Sequence, residues 1–244
     1  MTWAKFLIRI AKNKMATDHG NSSLASSFTD LMTSLAVIFI LLLVASHNNA
    51  QQESIDTRVA IREELKRELG EYAHIEVKDD PNDPLTLLIL VFGELLHFEK
   101  DKDDVPENGV IFLQKFVPTL ARTVCGNRFS KSVHSVVVEG HTDSDGDDEH
   151  NLALSQRRSM SVVKVSLTVL REHNPVSQDS LYTPFLNLIS ASGRGERELI
   201  HNIHDGLGME DMSRSRRVVF KIRIRSLEQR QFINAMEIPL SKPQ

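Results

Sequence analysis

A single cysteine, Cys125, stands in 244 residues. That excludes a disulfide framework within the chain and any multi-cysteine metal site. Excess positive charge is missing as well: 29 Lys and Arg against 33 Asp and Glu leave a formal net charge of −4. A whole-chain basic footprint is thereby excluded, and no direct nucleic-acid partner is expected. Long apolar stretches are scarce. A mean hydropathy of −0.23 excludes a multi-span membrane protein, although one span could be diluted in a chain of this length. The remaining composition, 41% hydrophobic and 25% charged, is that of a folded chain of one or two domains.

One apolar run is present. Leu24 to Ala45 covers 22 residues, with Asp30 its only ionisable group. At the helical rise this reaches about 33 Å, enough for a hydrocarbon core of about 30 Å. Lys5, Arg9, Lys12 and Lys14 precede the run, and only Arg58 lies in the first stretch after it. The positive-inside rule places the N-terminus in the cytoplasm and everything after residue 46 on the far side of the membrane. A cleaved signal peptide competes with this reading, since Val44-Ala45-Ser46 could be cut. Against cleavage stand the long segment before the run and the carboxylate at its edge. Residues 1–14 carry Trp3, Phe6, Leu7 and Ile10 at helical spacing among basic residues, which suits either an interfacial helix or a plain basic flank.

A carboxylate inside a span costs about 2.5–3.5 kcal/mol and tends to face a partner or a polar path. Asp30, Thr33 and Ser34 fall at i, i+3 and i+4, on one helix face. Two readings stand: the three handle a proton or cation, or Asp30 caps a helix that starts at Leu31.

Five segments are expected: a basic tail at 1–23, a transmembrane helix at 24–46, a connector at 47–84, an α/β domain at 85–226 and a C-terminal tail at 227–244. In the connector, His47 to Gln52 reads as loose, Ile55 to Tyr72 as a separate helix, and Asp79-Asp80-Pro81-Asn82-Asp83-Pro84 as a boundary. Beyond it, strands are expected at 85–91, 132–140, 186–190 and 217–225, and helices at 106–123 and 151–171. Alternating strands and helices define the fold class as an α/β sandwich behind a single N-terminal transmembrane helix and a helical connector.

The helix from Asn151 carries the candidate site. Taking Met160, Val163, Leu167 and Leu170 as its core face puts Asn151, Leu154 and Arg158 together on the exposed side. Gly140-His141-Thr142-Asp143 ends the preceding strand. Asp143 and Arg158 suit a zwitterion, with the carboxylate for an ammonium and the guanidinium for a carboxylate; equally, they could pair with each other. Other constellations fail. Asp143, Asp145 and Asp147 resemble a calcium loop, but Gly146 is misplaced and Leu154 stands where a glutamate is needed. The histidines find no convincing ligand set, so no metal is expected. Arg214, Arg216, Arg217, Lys221, Arg223 and Arg225 read as a solvated strand face. Cys125 could cross-link two copies or lie buried.

Four ordered motifs carry a family resemblance: Val136 to Asp143, Asn151 to Ser159, Ala191 to Glu196, and Arg216-Arg217-Val218. Together they resemble the OmpA-like peptidoglycan-binding domain over roughly residues 85–226. The resemblance implies that Asp143, which follows Thr142 in the Gly-x-Thr-Asp motif, and Arg158 hold the diaminopimelate of the stem peptide, with Asn151 and Leu154 as further contacts. His150 and Ser215 depart from residues usual in that family. The span motif Phe28-Thr29-Asp30-Leu31-Met32-Thr33 resembles MotB-type stator subunits of ion-driven motors. This implies that Asp30 carries H⁺ or Na⁺ within a five-to-two complex, a homodimer inside a MotA-like (ZorA-like) membrane pentamer. No cofactor beyond the translocated ion and no enzymatic reaction are implied. The compact chain looks more like the MotB-like subunits of Zorya anti-phage defence systems than like a flagellar stator. A flagellar stator or a passive cell-wall-binding envelope protein is the alternative.

Overall fold

The computed structural model describes residues 3–69, 74–92, 95–96, 98–99, 101–173, 181–202 and 208–237, with side chains from Ser26 onward. The chain forms two compact units, 1–50 and 51–244.

In the first unit, helix α1 (Trp3–Leu69) begins, and it contains a stretch long and apolar enough to cross a membrane. Phe28, Leu31, Leu35, Ile38, Phe39 and Leu42 along it are exposed. Asp30 lies in the helix interior, so it does not cap a helix beginning at Leu31. The Thr33 hydroxyl donates to the carbonyls of Thr29, at 3.0 Å, and Asp30, at 2.9 Å, rather than to the Asp30 carboxylate. The reading of residues 1–14 lies outside the described side chains. His47 to Gln52 is helical rather than loose. The segment has neither glycine nor proline, so nothing in it stops the helix.

The second unit opens with the end of α1, where Ile61, Leu65 and Leu69 are buried. Strand β1 (Ile75–Asp79) follows and pairs antiparallel with β2 (Thr86–Phe92). The segment expected to be a boundary is therefore the loop of this hairpin. Asp83 shapes it: its carboxylate accepts from the Leu85 N–H at 3.0 Å and the Thr86 hydroxyl at 2.8 Å. Arg62 donates to Asp79 at 2.7 Å and ties the helix to the hairpin. β1 is absent from the sequence expectations because Ile75 and Val77 are only partly buried and alternate with exposed Glu76 and Lys78 on an edge.

Helix α2 (Glu107–Cys125), strand β3 (Val133–His141), helices α3 (Asp148–His173) and α4 (Tyr182–Leu186), strand β4 (Ile189–Gly195), helix α5 (Met212–Ser215), strand β5 (Arg217–Ile224) and helix α6 (Leu227–Glu237) complete the unit. The sheet runs β1-β2-β5-β3-β4, and only β3 and β4 are parallel. Val218, Phe220, Ile222 and Ile224 of β5 meet Phe112, Phe116 and Val162 in one core. Phe116 stacks on Phe112 with centroids 5.1 Å apart and meets Phe220 edge-on at 4.9 Å. Burial of each such side chain stabilises by about 1.5–3 kcal/mol. Cys125 is half-buried, and burial pushes its thiol up to about 11, so it stays protonated at neutral pH.

Two expectations shift. The expected strand at 186–190 runs from Ile189 to Gly195 instead. Its small residues Ala191, Ser192 and Gly193 carry little hydropathy signal. Of the core face expected for α3, Val163 and Leu170 are buried in the core and Leu167 packs against it, but the helix is buried on a second side as well. Met160 is 42% exposed, whereas Asn151, Leu154 and Arg158 are 3%, 4% and 6% exposed. Ser155, Ser159 and Ser166 are fully buried along the helix, interspersed with Val162 and Val169, and the Ser155 hydroxyl accepts from the Gly195 N–H of β4 at 2.9 Å. Each serine hydroxyl donates to a carbonyl of its own helix, at 2.7–2.9 Å. Its polar atom is satisfied, and the backbones approach closely in a way apolar periodicity does not register.

Candidate functional site

A cavity of about 210 Å³ opens at the carboxyl end of β3. Thr142, Asp143, Asn151, Leu154 and Arg158, the five residues expected from the sequence, all line it. Phe98, Asp101, Asp145 and Arg216 complete the lining.

The turn after β3 is held from three sides. The Thr142 N–H donates to the Gly195 carbonyl at 3.0 Å, fixing the turn to β4. The Asp147 carboxylate accepts from the N–H groups of Glu149, at 3.1 Å, and His150, at 3.2 Å, and so caps the start of α3. The Asn151 side-chain nitrogen donates to the Asp145 carbonyl at 3.2 Å and to the Glu196 carboxylate at 2.9 Å, with the Asp143 carbonyl at 3.4 Å. Asn151 thus clamps the turn onto the helix, and its amide nitrogen is already engaged.

Arg158 is placed by a loop that sequence reasoning missed. Its Nε donates to the Lys102 carbonyl at 2.9 Å and its Nη2 to the Glu99 carbonyl at 3.0 Å. Its guanidinium lies 5.1 Å from the Phe98 ring centroid. Burial lowers the guanidinium from its ordinary value while Asp143 pulls it back; at such a high starting point it stays charged. Asp101 adopts φ 58°, a left-handed conformation that aspartate tolerates, and its carboxylate lies 3.1 Å from His150 Nε2. No motif marks this loop, because its contribution is mostly backbone carbonyls.

Asp143 and Arg158 do not pair with each other. The Asp143 carboxylate accepts from Arg216 Nη1 at 2.5 Å. Arg216 therefore belongs to the cleft, not to a solvated strand face. Arg217 is buried at 9% exposure, so the basic strip divides into individual roles. The only signal for Arg216 in the sequence was its place in the Arg216-Arg217-Val218 motif. Opposite charges thus share one concave site, held by a strand end, a helix and a loop.

Among the described residues, Glu139, His141 and Glu198 bring their ligand atoms within 4.8 Å of one another. Lys221 Nζ sits 2.7 Å from Glu139 Oε1, and Arg194 Nη2 sits 2.7 Å from Glu198 Oε1. Arg217 Nη2 lies 3.9 Å from Glu198 Oε2. Three cations already face two carboxylates, so a divalent ion would add to an excess of positive charge.

This buried cluster makes the domain acid-sensitive. Burial pulls the Glu139 carboxyl up, but His141 and Lys221 outweigh it and hold the group at about 2. Burial holds the His141 imidazole below its ordinary value, opposed by Glu139. In both cases the unfolded chain takes up protons at a higher pH than the folded one. Stability is therefore full above about pH 6.5 and falls as pH drops, first through His141 and then, between about 4.5 and 2, through Glu139. Thermal melting of the full chain in detergent should give a flat midpoint from pH 7 to 8 and a decline below 6.5. Glu139→Gln should flatten the lower part of that decline; the same acid limb in the variant would exclude Glu139 as its source.

In fold, the chain is similar to a MotB-like protein from Desulfovibrio vulgaris, at 17% identity over 73% of this chain and 98% of that one with a TM-score of 0.48. Helicobacter pylori MotB (residues 78–256) gives 14% identity over 68% of this chain and 92% of that one, at 0.43. No family model matches. In sequence, the chain is similar to Zorya protein ZorB of Escherichia coli O139:H28 (strain E24377A / ETEC), at 27% identity over 154 residues. The match covers 60% of this chain and 61% of the length of that relative.

Proposed function

We propose that this chain is a peptidoglycan-anchored, ion-translocating stator subunit of an inner-membrane motor that acts in anti-phage defence. In this reading two copies pair inside a MotA-like pentamer of the ZorA kind. The N-terminus is cytoplasmic and the α/β unit periplasmic. Asp30 takes up and releases H⁺ or Na⁺ as the pentamer steps around the fixed pair, with Thr33 and Ser34 on the same helix face. The α/β unit holds the pair to the wall, so that torque is not lost as free rotation. The work done is transport, not covalent catalysis, and the ion is the only small-molecule species required.

The observation that carries this reading is the cleft, in which Asp143 and Arg158 present opposite charges that fit an ammonium and a carboxylate on one carbon. The apolar helix carrying Asp30 and the similarity to ZorB support the motor role.

Sedimentation of the full chain in detergent with purified sacculi tests the anchor. Asp143→Ala combined with Arg158→Ala should move the chain from pellet to supernatant, a loss of about 100-fold or more for two charged hydrogen bonds. Asp143→Asn keeps the shape of the turn and should lose about tenfold by itself. Sedimentation equal to the parent chain in both variants would remove the anchor from this protein.

A further inference from the structure

We propose that the Gln156 carboxamide occupies the outer edge of β4 as a one-residue substitute for a further strand, and that it keeps this edge from pairing with the β4 of a second copy of the chain. None of the cleft residues takes part, so the contact is independent of the anchor reading.

β4 lies at one edge of the sheet, beyond β3. The Val136 N–H of β3 donates to the Leu188 carbonyl at 2.8 Å, and alternate residues of a strand turn their backbone groups to opposite neighbours. Ser190 and Ser192 therefore turn theirs to β3, and Ala191 and Gly193 turn theirs outward. An open edge of this kind is a template for another chain, and proteins blunt it with charge, proline or a covering group. The opposite edge, β1, carries Glu76, Lys78 and Asp79. β4 has neither charge nor proline from Ile189 to Gly193. Its edge needs a guard from elsewhere.

Gln156 supplies it. The Gly193 N–H donates to Gln156 Oε1 at 2.6 Å, and Gln156 Nε2 donates to the Ala191 carbonyl at 3.5 Å. One carboxamide thus takes the donor of one outward residue and the acceptor of the other. A residue on a parallel neighbouring strand, placed opposite Ser192, makes this same pair of bonds. The reach depends on Gly193: a Cβ there would lie 2.5 Å from the Gln156 nitrogen, so glycine is what lets α3 come near enough. Further along the strand, Ser155 Oγ accepts from the Gly195 N–H at 2.9 Å and closes the next outward donor. Gln156 is exposed, so core packing does not explain an amide spent on strand backbone. A second copy brings the same edge, and a two-fold axis sets the two β4 strands antiparallel, with Ala191 and Gly193 of each turned to the other. While Gln156 is in place, that pairing finds one donor and one acceptor of each strand already taken.

Two measurements on the full chain in detergent, with a reductant present, test this: hydrogen exchange resolved to single amides, and particle mass from dilute to concentrated protein. Gln156→Ala in dilute solution should speed exchange at Gly193 by about fivefold or more, the loss of one hydrogen bond, and leave Gly195 unchanged. On concentration the same variant should double the parent's mass and regain protection at Gly193, whereas the parent's mass stays constant. Gln156→Lys puts a charge on the edge; it should lose protection at Gly193 as well, yet keep the parent's mass throughout. Alanine and lysine both suit an exposed helix position, so both chains should fold. Unchanged exchange at Gly193 in Gln156→Ala would remove the cap. A Gln156→Ala chain that keeps the parent's mass at every concentration would remove the second copy as what the cap excludes. Association of Gln156→Lys to the same degree as Gln156→Ala would place the contact away from β4 and overturn the proposal.

Discussion

Asp30→Asn should reduce phage protection and ion flux to background while leaving co-purification with the membrane partner intact. Asparagine matches aspartate in shape and keeps one acceptor oxygen, so helix packing around position 30 changes little. What it lacks is a second charge state. A carboxylate in an apolar span is costly, about 2.5–3.5 kcal/mol, and that cost is relieved each time a proton or cation neutralises it. A cycle that alternates between the two states can do work on a partner; a side chain with one state cannot. Asp30 lies in the interior of α1 among exposed apolar side chains, not at a helix end where a capping role would explain it. Asp30→Glu keeps the chemistry and moves it by one methylene, so partial activity is expected there. The readouts are plaque counts on a sensitive host and ion flux into vesicles holding the complex. Full protection by Asp30→Asn would rule out the ion role, whatever the anchor does.

Elements with a strong period were legible in the sequence. β2, α2, β3 and β5 lie within a few residues of their expected bounds, because each has a run of Val, Ile, Leu or Phe that buries one side. Elements built on small or polar residues were not. A wheel drawn from large apolar residues found Val163, Leu167 and Leu170 of α3, which the core takes up, but chose the exposed Met160 and missed the buried Ser155, Ser159 and Ser166. β1 is a half-exposed edge, and its charged alternation reads as connector. The candidate site divides along the same line. Thr142, Asp143, Asn151, Leu154 and Arg158 fall in motifs, and the structure gathers them around one cleft. Phe98 and Asp101 reach it from a loop without a motif. The choice of Arg216 over Arg158 as partner of Asp143 depends on where β5 begins relative to the β3 turn, which no local pattern encodes. Of the two readings the sequence left open, pairing of Asp143 with Arg158 is not the one adopted: Asp143 pairs with Arg216, and Arg158 is held by the Lys102 and Glu99 carbonyls.

Gly140→Val should destabilise the full chain by about 3 kcal/mol or more, lowering its melting midpoint by about 6–12 °C. Gly140 and Gly193 are register partners on the parallel pair β3–β4, and together they form a notch beneath α3. A Cβ on Gly140 would overlap the Ser155 carbonyl oxygen and lie 3.2 Å from the carbonyl carbon. On Gly193 it would lie 2.5 Å from the Gln156 nitrogen. These are backbone atoms of a helix, so relief requires the whole helix to lift. That displacement carries Asn151, Leu154 and Arg158 away from Asp143, and sacculus binding should fall even though every charged side chain is intact. Gly109→Ala is the contrasting case. There the nearest atoms are the ends of the Leu96 and Val105 side chains, at 2.9 and 3.0 Å, which can turn aside. Alanine also favours the helix by about 1 kcal/mol, so the net change should be near zero. Melting of the two variants beside the parent chain, followed by the sacculus assay, separates the effects. A Gly140→Val chain that melts within 2 °C of the parent would mean that α3 does not lie in the notch. The cleft would then owe its geometry to something other than the close approach of that helix to the sheet.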